Sequence, residues 1–342
     1  MRRLAALAIV VVGIFALAQG LQALIEGAKK EGQIVTYGSP ADWAGYGTIA
    51  EIMTKRYGLK HSDTDMSSAE EIAKVKAERN NPVADAFDIG YQFCTIAIRE
   101  DILMAYKPSQ WNDIPLWAKD PLGRCTATYY GTIVLVTNTK VVKNPPKSFK
   151  DLLKPEYKGL IAVADPRRAA LGQYAVIAAA FANGGSDRNI DPGIKLFTQL
   201  ARSGNLKPVA PSKDLLAKGE IGITLDWDFR ALNWRKDIPE LVISVPTDGS
   251  TYGPYATVLN KFTRRPNAAK LWLETVLSDE GQIAFARAGA RPIRNVKLPE
   301  DVEKGLLPQA QYKVAKPITN WLNMEAVAKD MGEKWALEVV GN

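Results

Sequence analysis

The residues best suited to recognising a small polar molecule fall at the ends of strand-like segments. Ser67 and Ser68 open a helical pattern, and a helix start offers free backbone N–H groups and a dipole end that suit an anion. Helix capping is the plainer use of these serines. Arg167 and Arg168 occupy a similar strand-to-helix junction. A cation there opposes the dipole, which points to another use, such as forked recognition of a carboxylate or phosphonate. A surface ion pair is the alternative. Asp226, Trp227 and Asp228 set a carboxylate on each side of an indole. That trio can hold an ammonium group by charge and cation–π attraction, or one Asp can orient an arginine. Ser39 and the aromatics Tyr37, Trp43, Tyr91, Tyr129, Tyr130 and Tyr255 are further candidates, with core packing as the alternative for each aromatic.

Magnitudes decide what such groups must do together. The dipole contributes ~0.3–1 kcal/mol, and a hydrogen bond to a charged group about 1.5–3 kcal/mol. Micromolar binding needs about 8 kcal/mol. One helix start is too weak, so several contacts are required, and a two-lobed clamp would collect them.

Signals for bond-making chemistry are absent from the sequence. It has no G-x-S-x-G elbow, no H-E-x-x-H, no P-loop, and a single histidine, His61, without a Ser or Cys partner at a recognisable spacing. Asp226 and Asp228 are too local for a glycosidase acid pair. Two cysteines and one histidine provide no metal-ligand spacing, and no cofactor is expected. Cys94 and Cys125 flank a Pro-rich stretch; in an exported chain they could bond, and two buried free thiols are the alternative.

The elements that must position these residues alternate. Leu21 to Glu31 reads as a helix stopped by Gly32, and Gln33 to Tyr37 as the first strand. Ala44 to Tyr57 has helical spacing, with Gly58 ending it. Ser67 with Glu70 matches a capping box opening a helix to about Arg79. Ala84 to Ile89 is a buried strand, and His61 lies on the approach to the strand before it. Ala127 to Asn138 is one long strand pattern, long enough to cross between lobes. Leu160 to Ala164, Ile221 to Leu225 and Leu241 to Pro246 read as strands and Thr247 to Gly253 as a Gly-rich stretch. Helices are expected after Arg168 to about Asn183, over Asn189 to Ser203, Pro266 to Leu277, Glu280 to Ala288 and in Trp321 to Val340. This is the alternation of doubly wound α/β lobes, and in such sheets ligands sit beyond the carboxyl ends of the strands.

Length and charge agree. At 342 residues the chain exceeds what one core usually organises. The net charge is +7, and removing Arg2 and Arg3 with a leader leaves 7 − 2 = +5. The basic residues are interspersed with acids, so no nucleic-acid footprint is expected. The leader is predicted from the basic Met1 to Arg3, the apolar Leu4 to Leu17 and the small-x-small Ala16 to Ala18. An exported chain follows, periplasmic or extracellular.

The order of segments also resembles the solute-binding proteins of ABC importers, in the branch with ferric-iron, phosphonate and polyamine binders. The resemblance runs from about Gly32 to Arg294. Its segments are GQIVTYGS at Gly32 to Ser39, AERNNPVAD at Ala77 to Asp85, YKGLIAVADP at Tyr157 to Pro166, NAAK at Asn267 to Lys270, LSDEGQ at Leu277 to Gln282 and GARPIR at Gly289 to Arg294. It implies a type II periplasmic-binding fold, with two lobes joined by a hinge, a small ligand in the cleft and closure on binding. It also implies a membrane permease as partner, membrane contact only through that permease, and no enzymatic activity. The division expected is 1–18 as leader, 19–128 with 254–296 as the first lobe, and 129–253 with 297–342 as the second. A monomer is expected. Ferric members carry adjacent tyrosines where this chain has Asp226-Trp227-Asp228, which disfavours iron. A small organic anion or zwitterion is preferred, and a polyamine is the alternative.

Overall fold

The computed structural model describes residues 19–341; the expected leader lies outside them. The chain divides into two compact units. The first takes the described residues up to Tyr129, Tyr255–Phe285 and Pro292–Lys297; the second takes Tyr130–Pro254, Ala286–Arg291 and the described residues from Leu298.

The first unit begins with helix α1 (residues 19–31), then β1 (Gln33–Tyr37), α2 (Tyr46–Tyr57), β2 (Lys60–Thr64), α3 (Ser68–Ala77), β3 (Ala86–Gly90) and α4 (Cys94–Arg99). Strand β1 lies between β2 and β3, parallel to both. The edge strand β2 (KHSDT) alternates exposed and half-buried positions. His61 therefore sits inside the second strand, paired with Ile34, rather than on the approach to it. A polar edge strand has no apolar run to betray it. Helix α3 opens with the expected box, the Ser67 N–H and Oγ both donating to Glu70 Oε2 at 2.8 and 2.6 Å. An ion pair joins the buried Asp85 to the partly exposed Arg265 at 2.8 Å. The cysteines are bonded, Cys94 to Cys125, tying the start of α4 to the residue before β4 (Thr126–Asn138).

Strand β4 passes from the first unit into the second at Tyr130. There follow β5 (Ile161–Ala162), α5 (Ala170–Ala182), α6 (Asp191–Arg202), α7 (Lys213–Lys218), β6 (Ile223–Trp227), α8 (Asp228–Asp237), β7 (Leu241–Ser244) and β8 (Ser250–Leu259), which returns to the first unit at Tyr255. In the second unit β4 pairs antiparallel with β6 and with β7, and β6 runs parallel to β5. In the first, β8 runs antiparallel to β3. The last elements are α9 (Pro266–Leu277), α10 (Asp279–Arg287), β9 (Arg291–Pro292), α11 (Glu300–Gly305), β10 (Ala315–Pro317) and α12 (Met324–Lys334). Two strand readings change. Leu160 to Ala164 contracts to Ile161–Ala162, and the Gly-rich stretch becomes strand from Ser250, because Ser250–Tyr252 pair with Ala315–Pro317 of β10.

The core of the second unit explains the glycine inside β4. A Cβ at Gly131 would stand 2.7 Å from Phe229 and 3.0 Å from Trp227, both buried rings. Gly131→Ala is expected to lower stability by about 1–3 kcal/mol through overpacking, read from the urea midpoint. Among the described residues no helix is long and apolar enough to cross a membrane.

Candidate functional site

In the first unit, three strand ends converge. After β1 the chain turns through Gly38 and Ser39. The Ser39 N–H donates to Asp63 Oδ1 of β2 at 2.9 Å, and Thr36 Oγ1 donates to the same oxygen at 2.6 Å. After β3, the Gly90 N–H donates to Ser68 Oγ at 3.1 Å. Ser68 thus holds the turn that begins at Tyr91, a buried ring. Glu71 of α3, only 1% exposed, lies against Gly38.

An aromatic group adjoins this turn. Trp43 Nε1–H donates to Tyr129 Oη at 2.6 Å, and Tyr129 Oη donates to Asp88 Oδ2 at 2.7 Å. Tyr46 Oη donates to Asp88 Oδ1 at 2.8 Å. Tyr255 stacks on Tyr129 with centroids 5.2 Å apart and meets Trp43 edge-on at 5.7 Å. Trp43 and Tyr255, both expected to serve the ligand, therefore stand together.

The electrostatics here are those of buried acids without a cation. Burial pushes Asp88 up to about 8, with Asp63 adding in the same direction and the Tyr129 and Tyr46 hydroxyls pulling down. Burial raises Glu71 well above the usual carboxylate range, reinforced by Asp88, Asp63 and Asp65. Asp63 is also raised, again chiefly by burial. Near neutrality Asp88, raised to about 8, holds its proton and can donate a hydrogen bond as well as accept one. Sequence reading missed Asp63, Glu71 and Asp88. The signal that could have found Asp88 is a carboxylate inside an otherwise apolar strand, AFDIG.

In the second unit the two arginines part ways. Arg167 is bound by Asp165, Nε to Oδ1 at 3.0 Å and Nη2 to Oδ2 at 2.6 Å. Arg168 is exposed, and among the described residues no carboxylate lies within ion-pair distance of it. It immediately precedes Ala169, the N-cap of α5, which has no side-chain acceptor to cap the first turn. The acid–indole trio lies inside the unit. Asp226 is buried beside Arg230 at 3.3 Å. Trp227 packs between Tyr174 and Phe229. Asp228 accepts the Thr132 N–H at 3.0 Å, the Phe229 N–H at 2.9 Å and the Tyr312 hydroxyl at 2.7 Å. Burial raises both acids to about 6. The structure thus groups Ser39, Ser68, Trp43, Tyr91 and Tyr255 at the first unit's strand ends, places Ser67 in its capping box, and leaves Arg168 as the exposed cation at a strand end of the second. Among the described residues no group of three or more His, Cys, Asp or Glu side chains is placed to hold a metal ion.

Comparison with known proteins bears on the family and the fold. The family model described as bacterial extracellular solute-binding protein matches residues 81–317. An uncharacterised protein of Haemophilus influenzae is 30% identical over 292 residues, covering 78% of each chain. Among solved structures, the periplasmic binding protein AfuA from Actinobacillus pleuropneumoniae, with fructose-6-phosphate bound, superposes with a TM-score of 0.74 at 22% identity, covering 90% of this chain and 98% of that one. Iron-bound HitA from Pseudomonas aeruginosa gives 0.71 at 18%, covering 89% and 99%. PotD, the spermidine/putrescine binding protein from Streptococcus pneumoniae, gives 0.66 at 17%, covering 88% and 99%. The expected α/β fold of the type II periplasmic-binding kind is the one found.

Proposed function

The chain belongs to the bacterial extracellular solute-binding proteins, and from that membership we propose that it delivers a small organic anion or zwitterion, of carboxylate, phosphonate or phosphate-ester type, to an ABC importer. The observation that carries the ligand class is Arg168: an exposed guanidinium without an ion-pair partner among the described residues, beside an uncapped helix start. Its fork suits an acid group. The strand-end face of the first unit supplies hydrogen-bonding groups and aromatic surface for the body of the solute. The sugar phosphate bound to AfuA supports an acid-bearing solute. In this reading the chain acts as an exported monomer that binds without turnover and takes no nucleic acid.

A polyamine is the second reading, favoured by the buried Glu71 and Asp88 and the half-buried Asp63 of the first unit. The residues that first suggested it, Asp226 and Asp228, already have partners within the second unit.

A thermal-shift panel of carboxylates, phosphonates and phosphate esters, run against putrescine and spermidine, separates the two. Stabilisation by an acid is expected; stabilisation by the polyamines alone would end the anion reading. Arg168→Ala is expected to weaken the best acid by about 10–150-fold, the equivalent of one charge-assisted contact. Its melting temperature should stay at the parent value, because the side chain has no internal ion pair to lose.

A further inference from the structure

The turn at Gly38–Ser39 holds polar atoms that the fold itself leaves unused. Among the described residues, Ser39 Oγ, Asp63 Oδ2 and Glu71 Oε2 are buried without a hydrogen-bond partner. Ser39 and Glu71 are each 1% exposed. Leaving such groups unmatched is costly, so three around one turn require an explanation. They share one locality. Ser39 is bonded through its N–H to Asp63, and Gly38, at φ 68°, comes so close to Glu71 that a Cβ there would stand 2.3 Å from Oε1. A glycine is required both by the left-handed backbone and by that approach. No lysine or arginine among the described residues forms an ion pair with Asp63, Glu71 or Asp88.

We propose that this turn, with Asp63 and Glu71, receives a primary ammonium group of the solute. Three open acceptors match the three donors of an ammonium, a group that has no acceptor of its own. A guanidinium would present five donors in a fixed fork, and the acids lack the placement for a metal ion. The inference rests on the anion-or-zwitterion reading and deepens it: the solute carries an amine as well as its acid group. Glu71 is faced by Asp88, Asp63 and Asp65, and burial together with these acids raises its affinity for a proton. An ammonium beside Glu71 opposes that shift, so a proton that Glu71 holds passes to solvent on binding and an ion pair is left behind.

Calorimetric titration with three matched pairs tests this: butyrate and 4-aminobutyrate, propylphosphonate and 3-aminopropylphosphonate, ethyl phosphate and phosphoethanolamine. The amine member of at least one pair is expected to bind about tenfold tighter or better. Its binding heat should vary with buffer ionisation enthalpy, as proton release requires. In Glu71→Gln the ratio within that pair should collapse to within about twofold. Where that variant does not fold, Ser39→Ala should narrow the same ratio. Equal affinity within every pair that binds, or a ratio unchanged in the variants, overturns the ammonium subsite and leaves the anion reading standing. No binding by any of the six acids overturns both.

Discussion

Reducing the Cys94–Cys125 bond is expected to lower stability by about 3–4 kcal/mol. The bond closes a segment with a sequence separation of 31, and releasing a loop of that size returns about this much chain entropy to the unfolded state. The double variant Cys94→Ser with Cys125→Ser should show the same loss in urea unfolding, and a reducing agent should then have no further effect on it. The consequence is local as well as global. Cys94 directly follows the turn of Tyr91, Gln92 and Phe93, and Cys125 directly precedes β4, which carries Tyr129. Amide exchange should therefore quicken over 91–99 and 126–130 before other parts of the first unit. Equal denaturant midpoints for the oxidised and reduced proteins would contradict this.

The second large effect is on pH. Asp88 is raised from 3.8 to about 8, so the folded state holds a proton that the unfolded chain has released. For a group raised in this way, the stabilisation is fully present below about pH 4 and lost as the pH rises through about 8. Between about pH 8.5 and 6.5 the gain from Asp88 alone is about 2 kcal/mol, and Glu71 acts in the same direction. The interval is chosen because His61 opposes it lower down. Burial depresses that ring to about 4, so the folded state resists its protonation and stability is lost as the pH falls below about 6.5. Urea unfolding should thus show a higher midpoint at pH 6.5 than at 8.5. Asp88→Asn, neutral throughout, should flatten that difference. An unchanged slope in the variant would mean that Asp88 is ionised in the folded protein.

The contrast between α3 and the carboxylate cluster shows what was legible from sequence. The capping box of Ser67 and Glu70 is a spacing of three along one chain, and it reads directly. So do the apolar periodicity of β4 and the alternation that announces two α/β units. The cluster of Asp63, Glu71 and Asp88 is not local. It exists because β1 lies between β2 and β3 and brings three strand-end regions to one turn, and β2 itself has no apolar pattern to place it. The opposite failure concerns Asp226 and Asp228. Their spacing suggests an exposed acidic pair, but β6 is buried along its length and α8 starts at Asp228, so both carboxyls turn to partners inside the unit. Of the two arginines at one junction, sequence could not say which would be taken by Asp165. That choice leaves Arg168 to carry the proposed ligand class.

The most direct test is native mass spectrometry of the protein recovered without dialysis, comparing the parent chain with Arg168→Glu. An adduct of a small acid-bearing organic molecule is expected on the parent and absent from the variant. A polyamine or iron adduct on the parent, or an acid adduct retained undiminished by the variant, would contradict the acid-bearing solute and the role of Arg168 in holding it.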